Sequence, residues 1–120
     1  MKKITLEDAF AQFDATWTPH VVADLNAQQV KLAKLEGAFV WHDHENEDEL
    51  FWVVSGRLRL EFRNQDPIVL EAGEIVVVPR GVEHRPVAEP TAHVVLFEPA
   101  AIKHTGNVET DRTVHDLPRL

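Results

Sequence analysis

The sequence contains no cysteine. A chain without thiols cannot form disulfides, bind a metal through thiolates or use a cysteine nucleophile. It also lacks any apolar run near the roughly 18 residues that a membrane-spanning helix needs. Residues 1–10 carry lysines but no apolar segment typical of a secretion signal. We therefore expect a cytoplasmic protein with no membrane partner.

Basic residues are scarce. The chain has 12 Lys and Arg against 20 Asp and Glu, which gives a formal net charge of −8. No dense basic stretch offers a surface for the phosphates of nucleic acids, and the negative charge opposes binding to anionic lipids. The composition therefore predicts that neither nucleic acid nor membrane is a partner.

The length and the apolar content allow one folded domain. A chain of 120 residues with 44% hydrophobic residues can bury a core but is too short for two domains. We divide it into an N-terminal helical segment at 1–19, a β-barrel at 20–99 and a C-terminal arm at 100–120, all within one domain.

Residues 5–15 predict a short helix. Thr5 is a candidate N-cap residue, and Asp8 is a weak capping-box partner three positions later. Pro19 follows the segment and favours its exit from helical structure. The apolar residues that recur at helical spacing are Leu6, Ala9, Phe10 and Phe13.

The middle of the chain is typical of an all-β fold. Short apolar segments are separated by turn residues such as Gly56 and Gly81, at spacings near those of a sandwich or barrel. Segment 57–63 alternates apolar and charged residues, as a strand with one buried face does. The predicted strands are 20–25, 28–35, 37–44, 49–55, 57–63, 67–71, 74–79, 84–88 and 92–98.

Four residues form a candidate metal site. His42 and His44 are two positions apart in the predicted strand 37–44, so both would point to the same side. Glu49 precedes the next apolar strand, and a hairpin would return its carboxylate to the histidines. In a barrel, His84 could reach the same ion from a neighbouring strand.

Three imidazoles and one carboxylate suit Fe(II), Mn, Co, Ni, Cu or Zn, whereas Ca and Mg favour oxygen ligands. An octahedral ion held in this way keeps two positions for water or substrate. Each part has a plainer interpretation, because a His-X-His pair occurs by chance on exposed strands. The acidic residues near it also fit a solvated loop; they are Asp43, Glu45, Glu47, Asp48 and Glu49.

The joint spacing of glycines, proline and ligands resembles the cupin superfamily. The first cupin motif, G(X)5HXH(X)3,4E(X)6G, is matched by Gly37, His42, His44, Glu49 and Gly56. The second, G(X)5PXG(X)2H(X)3N, is matched by Gly73, Pro79, Gly81 and His84. Gly37 stands one residue nearer to the histidines than usual, and Ala88 replaces the final Asn.

The resemblance implies an all-β fold, a single double-stranded β-helix (jelly-roll barrel) with the short N-terminal helix and the C-terminal arm added. It implies one divalent transition metal held by His42, His44, Glu49 and His84. Cupins commonly dimerise through barrel edges, and exposed strand edges need covering, so we also expect a homodimer.

The function implied by the resemblance stays open between classes. We favour a metalloenzyme that acts on a small organic molecule, by oxygenase-like or Lewis-acid isomerase or lyase chemistry. The first alternative is a non-catalytic module that binds or senses a small molecule or sugar. The second is a structural zinc site with all positions closed.

The predicted neighbours of the ligands are mostly apolar. Val40, Phe51 and Val53 favour a tight pocket with few groups for a phosphorylated sugar. His93 begins the last predicted strand and is a further pocket candidate.

We assign surface or packing roles to the remaining histidines, arginines and tryptophans. Arg80 and Arg85 flank the second motif, where solvated or ion-paired side chains are expected. Trp41 and Trp52 alternate away from the ligand face. The histidines predicted at the surface are His20, His104 and His115.

Overall fold

The computed structural model describes residues 1–100 and 117–120. Its strands pair antiparallel in the order β1-β2-β6-β3-β4, and β5 pairs with β3. Among these residues, no helix is both long enough and apolar enough to cross a membrane. The elements are α1 (Leu6–Phe10), β1 (His20–Leu25), β2 (Gln28–Ala38), β3 (Glu49–Phe62), β4 (Ile68–Glu71), β5 (Ile75–Val78) and β6 (His84–Pro99).

Three long bent strands build the barrel. Segments 49–55 and 57–63, predicted as separate strands, form the single strand β3, and segments 84–88 and 92–98 form β6. The register shifts near the middle of each long strand, at Glu36/Gly37 in β2 and between Val53 and Leu58 in β3. Because both halves of β3 and β6 supply side chains to one core, the bends fold each strand around the interior.

Gly56 allows the bend of β3. Its φ is +82°, and a Cβ at this position would lie 2.2 Å from the backbone oxygen of Thr91. Since no side chain fits so close to the neighbouring strand, glycine is required here for steric as well as conformational reasons.

The barrel interior is one apolar cluster. The inward side chains change parity across the bend, so that Phe51 and Val53 face the same core as Leu58 and Leu60. Ala88, which replaces the motif asparagine, is also buried in this core. The absence of an amide at that position therefore makes the interior more apolar.

The N-terminal helix is shorter than predicted. It spans Leu6–Phe10 instead of 5–15, and Thr5 makes no side-chain capping hydrogen bond. The predicted apolar stripe still packs as a unit, because Phe10 and Phe13 cover Leu32 and Val95 on the outer face of β2 and β6. Tertiary packing therefore holds this segment in place without a long helix.

The last four residues lie beside β1. Val21 donates a backbone hydrogen bond to Pro118 and accepts one from Leu120. Arg119 binds the carboxylate of Asp24 through two hydrogen bonds of 2.7 and 3.0 Å. These contacts cover part of an edge strand. Most of the predicted arm, residues 101–116 with His104 and His115, lies outside the described residues.

Candidate metal centre

The segment that carries His42 and His44 is not a strand. β2 ends at Ala38, so the predicted strand 37–44 is wrong. Two backbone hydrogen bonds hold His42 instead, one in each direction between it and His84, with N···O distances of 3.0 and 2.9 Å. The carbonyl of His44 accepts a third hydrogen bond from the amide of Gly81 at 2.8 Å. The two motifs are thus joined through their backbones.

The turn before His84 fixes how the second motif approaches the first. Val82 donates to the carbonyl of Pro79, and Gly81 has a φ of +76°, as the third residue of a type II turn requires. The amide of Arg80 donates to the carboxylate of Asp48 at 2.9 Å. One acidic residue of the loop therefore has a structural partner at this turn.

Glu49 begins β3 and pairs with Val78 of β5. Only 3% of its surface is exposed, although a glutamate at a strand end is ordinarily solvated. Its Oε1 atom lies 3.3 Å from Nε2 of His44 and 3.6 Å from Nε2 of His84.

The structure brings all four predicted ligands together. One ligand atom from each of His42, His44, Glu49 and His84 lies within 4.8 Å of the others, and all four residues are buried. Within the described part of the chain, Nε2 of His44, Nε2 of His84 and Oε1 of Glu49 have no hydrogen-bond partner. Buried polar atoms without partners are costly, and a shared cation would satisfy all three.

Two of the imidazoles are oriented for metal binding. Nδ1 of His42 donates to the carbonyl of Val40 at 3.0 Å, and Nδ1 of His84 donates to that of Val82 at 2.9 Å. A proton on Nδ1 leaves the Nε2 lone pair free, so the backbone fixes both the ring orientation and the tautomer that a ligand needs.

The charges of the site also suit a cation. Burial, together with the neighbouring His84, lowers the pKa of His42 to about 4, so that this imidazole is neutral near pH 7. Burial opposes ionisation of Glu49, but the neighbouring imidazoles of His44 and His84, whose Nε2 atoms lie 3.3 and 3.6 Å from Oε1, outweigh it and hold its pKa well below the usual range. The cluster therefore offers the neutral imidazole of His42 and the ionised carboxylate of Glu49.

Behind Glu49 lies a buried ion pair that the sequence analysis missed. Nζ of Lys31 lies 3.0 Å from Oε1 of Glu98, and both side chains are fully buried. Burial and the adjacent charge of Glu49 raise the pKa of Glu98 well above its usual value. In the sequence, these residues read as the exposed charges of two amphipathic strands, and no local pattern distinguished them.

A narrow cavity adjoins the ligands. Its volume is about 30 Å³, enough for one or two water-sized groups. Trp17 and Phe39 stack with ring centroids 4.4 Å apart at this cavity. The lining residues are Trp17, Pro19, Ala33, Leu35, Phe39, His42, Glu49, Phe51, Pro86, Val94 and Leu96.

The predicted pocket residues have different positions. Phe51 lines the cavity, whereas Val53 is buried deeper in the core and Val40 packs against that core without lining the cavity. Phe39 takes the inward position that strand alternation had given to Val40, because residues 39–44 do not continue β2. The cavity lining is mostly apolar, and it includes Trp17 and Phe39, which were not predicted to form it.

Two other histidines differ from expectation. His93 stacks on Phe10 at 4.7 Å on the outer face of β6, opposite to the inward Val94, so it is not in the pocket beside the ligands. His20 was predicted at the surface but is buried and stacks on Phe13 at 3.9 Å.

The arginines and tryptophans near the motifs contact other side chains or solvent. Arg85 pairs with Glu61 at 2.6 Å, and exposed Arg80 lies 3.7 Å from Asp48. Trp41 lies under the guanidinium of Arg63, and Trp52 is 42% exposed. Neither tryptophan lines the cavity.

Two solved protein structures are similar to this chain in both sequence and fold. The chain is 46% identical to a cupin-2 domain protein of Shewanella frigidimarina, with a TM-score of 0.78 over 80% of this chain and 93% of that one. A Neisseria meningitidis protein is 30% identical, with a TM-score of 0.76 over 82% of this chain and 100% of that one.

A further relative matches a shorter part of this chain. The uncharacterised Bacillus subtilis (strain 168) protein YdbB is 36% identical over 64 residues, which is 53% of this chain and 57% of that protein. The sequence profile of the Cupin domain family matches residues 28–98, which include every residue of the cluster. With this match and the barrel described above, the chain belongs to the cupin family as a small single-domain member.

Proposed function

We propose that the protein binds one divalent transition metal through His42, His44, Glu49 and His84. The observation that carries the proposal is the buried convergence of these four side chains, three of which present unpartnered polar atoms within the described residues. Fe, Mn, Ni, Co, Cu and Zn all suit this donor set.

We further propose that the loaded protein is an enzyme for a small organic molecule. A transition metal held here would supply Lewis-acid or O2-activating chemistry at its open positions. The residues of the chain would orient the substrate: Trp17 and Phe39 would form an apolar wall, and the narrow cavity would exclude bulk water. This pocket favours a small, partly apolar substrate over a phosphorylated sugar.

A non-catalytic binding module is the second candidate. Of the described residues that line the cavity, only His42 and Glu49 carry titratable side chains, and both belong to the proposed ligand set. Without a further general base at the cavity, the site can anchor a ligand without turning it over. A panel of small substrates tested with Fe(II) or Mn separates the two functions, since a module would gain thermal stability from a ligand without forming product.

The first experiment is elemental analysis of untagged protein beside the His84→Ala variant. We expect about one metal per wild-type chain, on the order of a four-ligand site, and loss of that metal from the variant. A wild-type protein that stays empty after exposure to Fe, Mn, Co, Ni, Cu and Zn would contradict the proposal. Exchangeable water on the bound metal would exclude the closed structural zinc site.

We also propose a homodimer. Trp52, Ile75 and Val77 form an exposed apolar strip on the outer face of β3 and β5, with Trp52 directly opposite Ile75. Such strips favour association. Light scattering of the wild type and of Val77→Lys tests this dimer. We expect a dimeric wild type and a monomeric variant. A monomeric wild type would contradict the proposal. The cytoplasmic location, and the absence of nucleic-acid and membrane partners, stay predictions from the sequence.

A further inference from the structure

Among the residues that the structure describes, the barrel interior holds one fully buried ion pair besides the candidate ligands. Lys31 of β2 and Glu98 of β6 face inward between apolar neighbours such as Leu96, which pairs with Lys31 across the two strands. Removing both charged side chains from water is costly, and their mutual attraction only partly offsets that cost. The buried pair therefore contributes little to the stability of the fold. Its position suggests a role other than stabilising the barrel.

Glu98 lies directly behind Glu49. Leu50 pairs with Phe97 in the antiparallel ladder of β3 and β6, so the next position along the ladder sets Glu49 opposite Glu98. Side chains at opposite positions of an antiparallel ladder share one face, so the two buried carboxyl groups are neighbours. Glu98 therefore has Lys31 on one side and a candidate metal ligand on the other.

The contacts divide between the two oxygens of Glu98. Oε1 accepts from Nζ of Lys31 at 3.0 Å, while Oε2 is buried and finds no donor in the described ranges 1–100 and 117–120. The side that Lys31 leaves free is thus available to the carboxyl group of Glu49. Metal-binding carboxylates are commonly held by such neighbours, which fix their orientation and tune metal affinity.

We propose that Lys31 and Glu98 are positioning residues that hold the Glu49 carboxyl group in the orientation required for the metal. This inference rests on the proposed metal binding. Lys31 fixes the carboxyl group of Glu98, and Glu98, which faces Glu49 across β3 and β6, fixes that of Glu49. The pair touches neither the cavity nor the metal, and its effect passes through Glu49 alone.

The test uses Co(II), because its visible absorption reports ligand geometry and its titration reports affinity. The variant Lys31→Met/Glu98→Leu replaces the pair by apolar side chains, a change that often leaves a fold as stable as before. We expect Co(II) to bind at least about ten-fold more weakly, with a changed spectrum, while the metal-free melting temperature stays close to that of the wild type.

Two further variants give the controls. Arg59→Met/Glu89→Leu removes an ion pair between β3 and β6 that is about one-third exposed, and it should leave Co(II) affinity and spectrum unchanged. Glu98→Gln keeps the shape, and its amide can accept from Lys31 and donate to Glu49. We expect this conservative variant to retain Co(II) affinity close to that of the wild type.

The outcomes distinguish a failure of the proposed metal binding from a failure of the proposed positioning role. If the wild type binds no Co(II), the proposed function fails and the positioning role with it. If the wild type binds Co(II) and the apolar variant binds it equally well with the same spectrum, only the positioning role is overturned. Loss of binding in Glu98→Gln equal to that in the apolar variant also overturns it.

A variant that does not fold does not end the test. Glu98→Asp then replaces the apolar variant, because it keeps the charge and withdraws the carboxyl group from Glu49 by one methylene. Several-fold weaker Co(II) binding supports the inference, and unchanged affinity and spectrum overturn it.

Discussion

The barrel interior contains two kinds of buried surface. Around Leu58, Leu60 and Leu70, the core is apolar and its side chains need no further partner. Around His84 and Glu49, equally buried residues present polar atoms that lack hydrogen-bond partners in the described chain. The first part gains stability from burial alone, while the second bears a desolvation cost that a cation can offset.

The apolar part of the interior therefore serves folding, whereas the polar part serves the proposed metal binding. The apolar core consists mostly of strand residues and contains none of the four candidate ligands. The metal centre is thus expected to depend on the apolar part for its geometry, whereas the apolar part should depend little on the metal.

The largest effect is expected in the apolar part. Leu60 is fully buried, and Leu60→Ala should lower the free energy of unfolding by about 2–5 kcal/mol through lost burial and a cavity. Chemical denaturation with and without added metal measures it, and the loss should be similar in both. Leu25→Ala is the matched control, because Leu25 is 55% exposed and should change stability little. A comparable loss of stability in Leu60→Ala and Leu25→Ala would contradict the larger contribution of the apolar core.

The metal should stabilise the folded state through the polar part only. At a free metal concentration 100 times the dissociation constant, the free energy of unfolding should rise by about 2.7 kcal/mol in the wild type. His84→Ala should abolish this gain, since it removes a ligand. Calorimetry with and without metal gives the two values. A gain that persists in His84→Ala would place the metal elsewhere.

A smaller effect is expected at the bend that joins the two parts. Gly56→Ala should lower the free energy of unfolding by more than about 1 kcal/mol, because the positive φ and the contact with Thr91 both disfavour a side chain. Gly73→Ala is the matched control, because Gly73 has a φ of +86° but open space around it. Denaturant titration should rank Gly56→Ala as the more damaging; equal losses would show that the close approach is unimportant.

The smallest effect is expected outside both parts, where Asp24 holds Arg119. Hydrogen bonds from Arg119 lower the pKa of Asp24 from 3.8 to about 2. The pair should therefore be intact above pH 4 and weaken as the pH falls through 2. At neutral pH, Asp24→Asn should speed amide exchange at Leu120 up to about five-fold. Exchange at Val53, whose amide lies in the core, should not change.

The strand content and the candidate ligands could be predicted from the sequence. Alternation in residues 57–63 indicated one buried face, and Leu58 and Leu60 are indeed buried. The spacing of His42, His44, Glu49 and His84 indicated a single cluster, and the four side chains do converge. Such patterns are local or fixed by motif length, so they can be read without knowing which strands pair.

The tertiary structure alone decided the rest. Lys31 and Glu98 are 67 positions apart and look like surface charges until β2 and β6 pair and turn both inward. Trp17 and Phe39 meet only where the N-terminal segment crosses the end of β2. The sequence by itself determined the all-β fold class through local periodicity, and the four ligands through motif spacings that resemble those of cupins. Which charges lie beside Glu49 and which rings line the cavity depended on strand pairing over long distances in the chain.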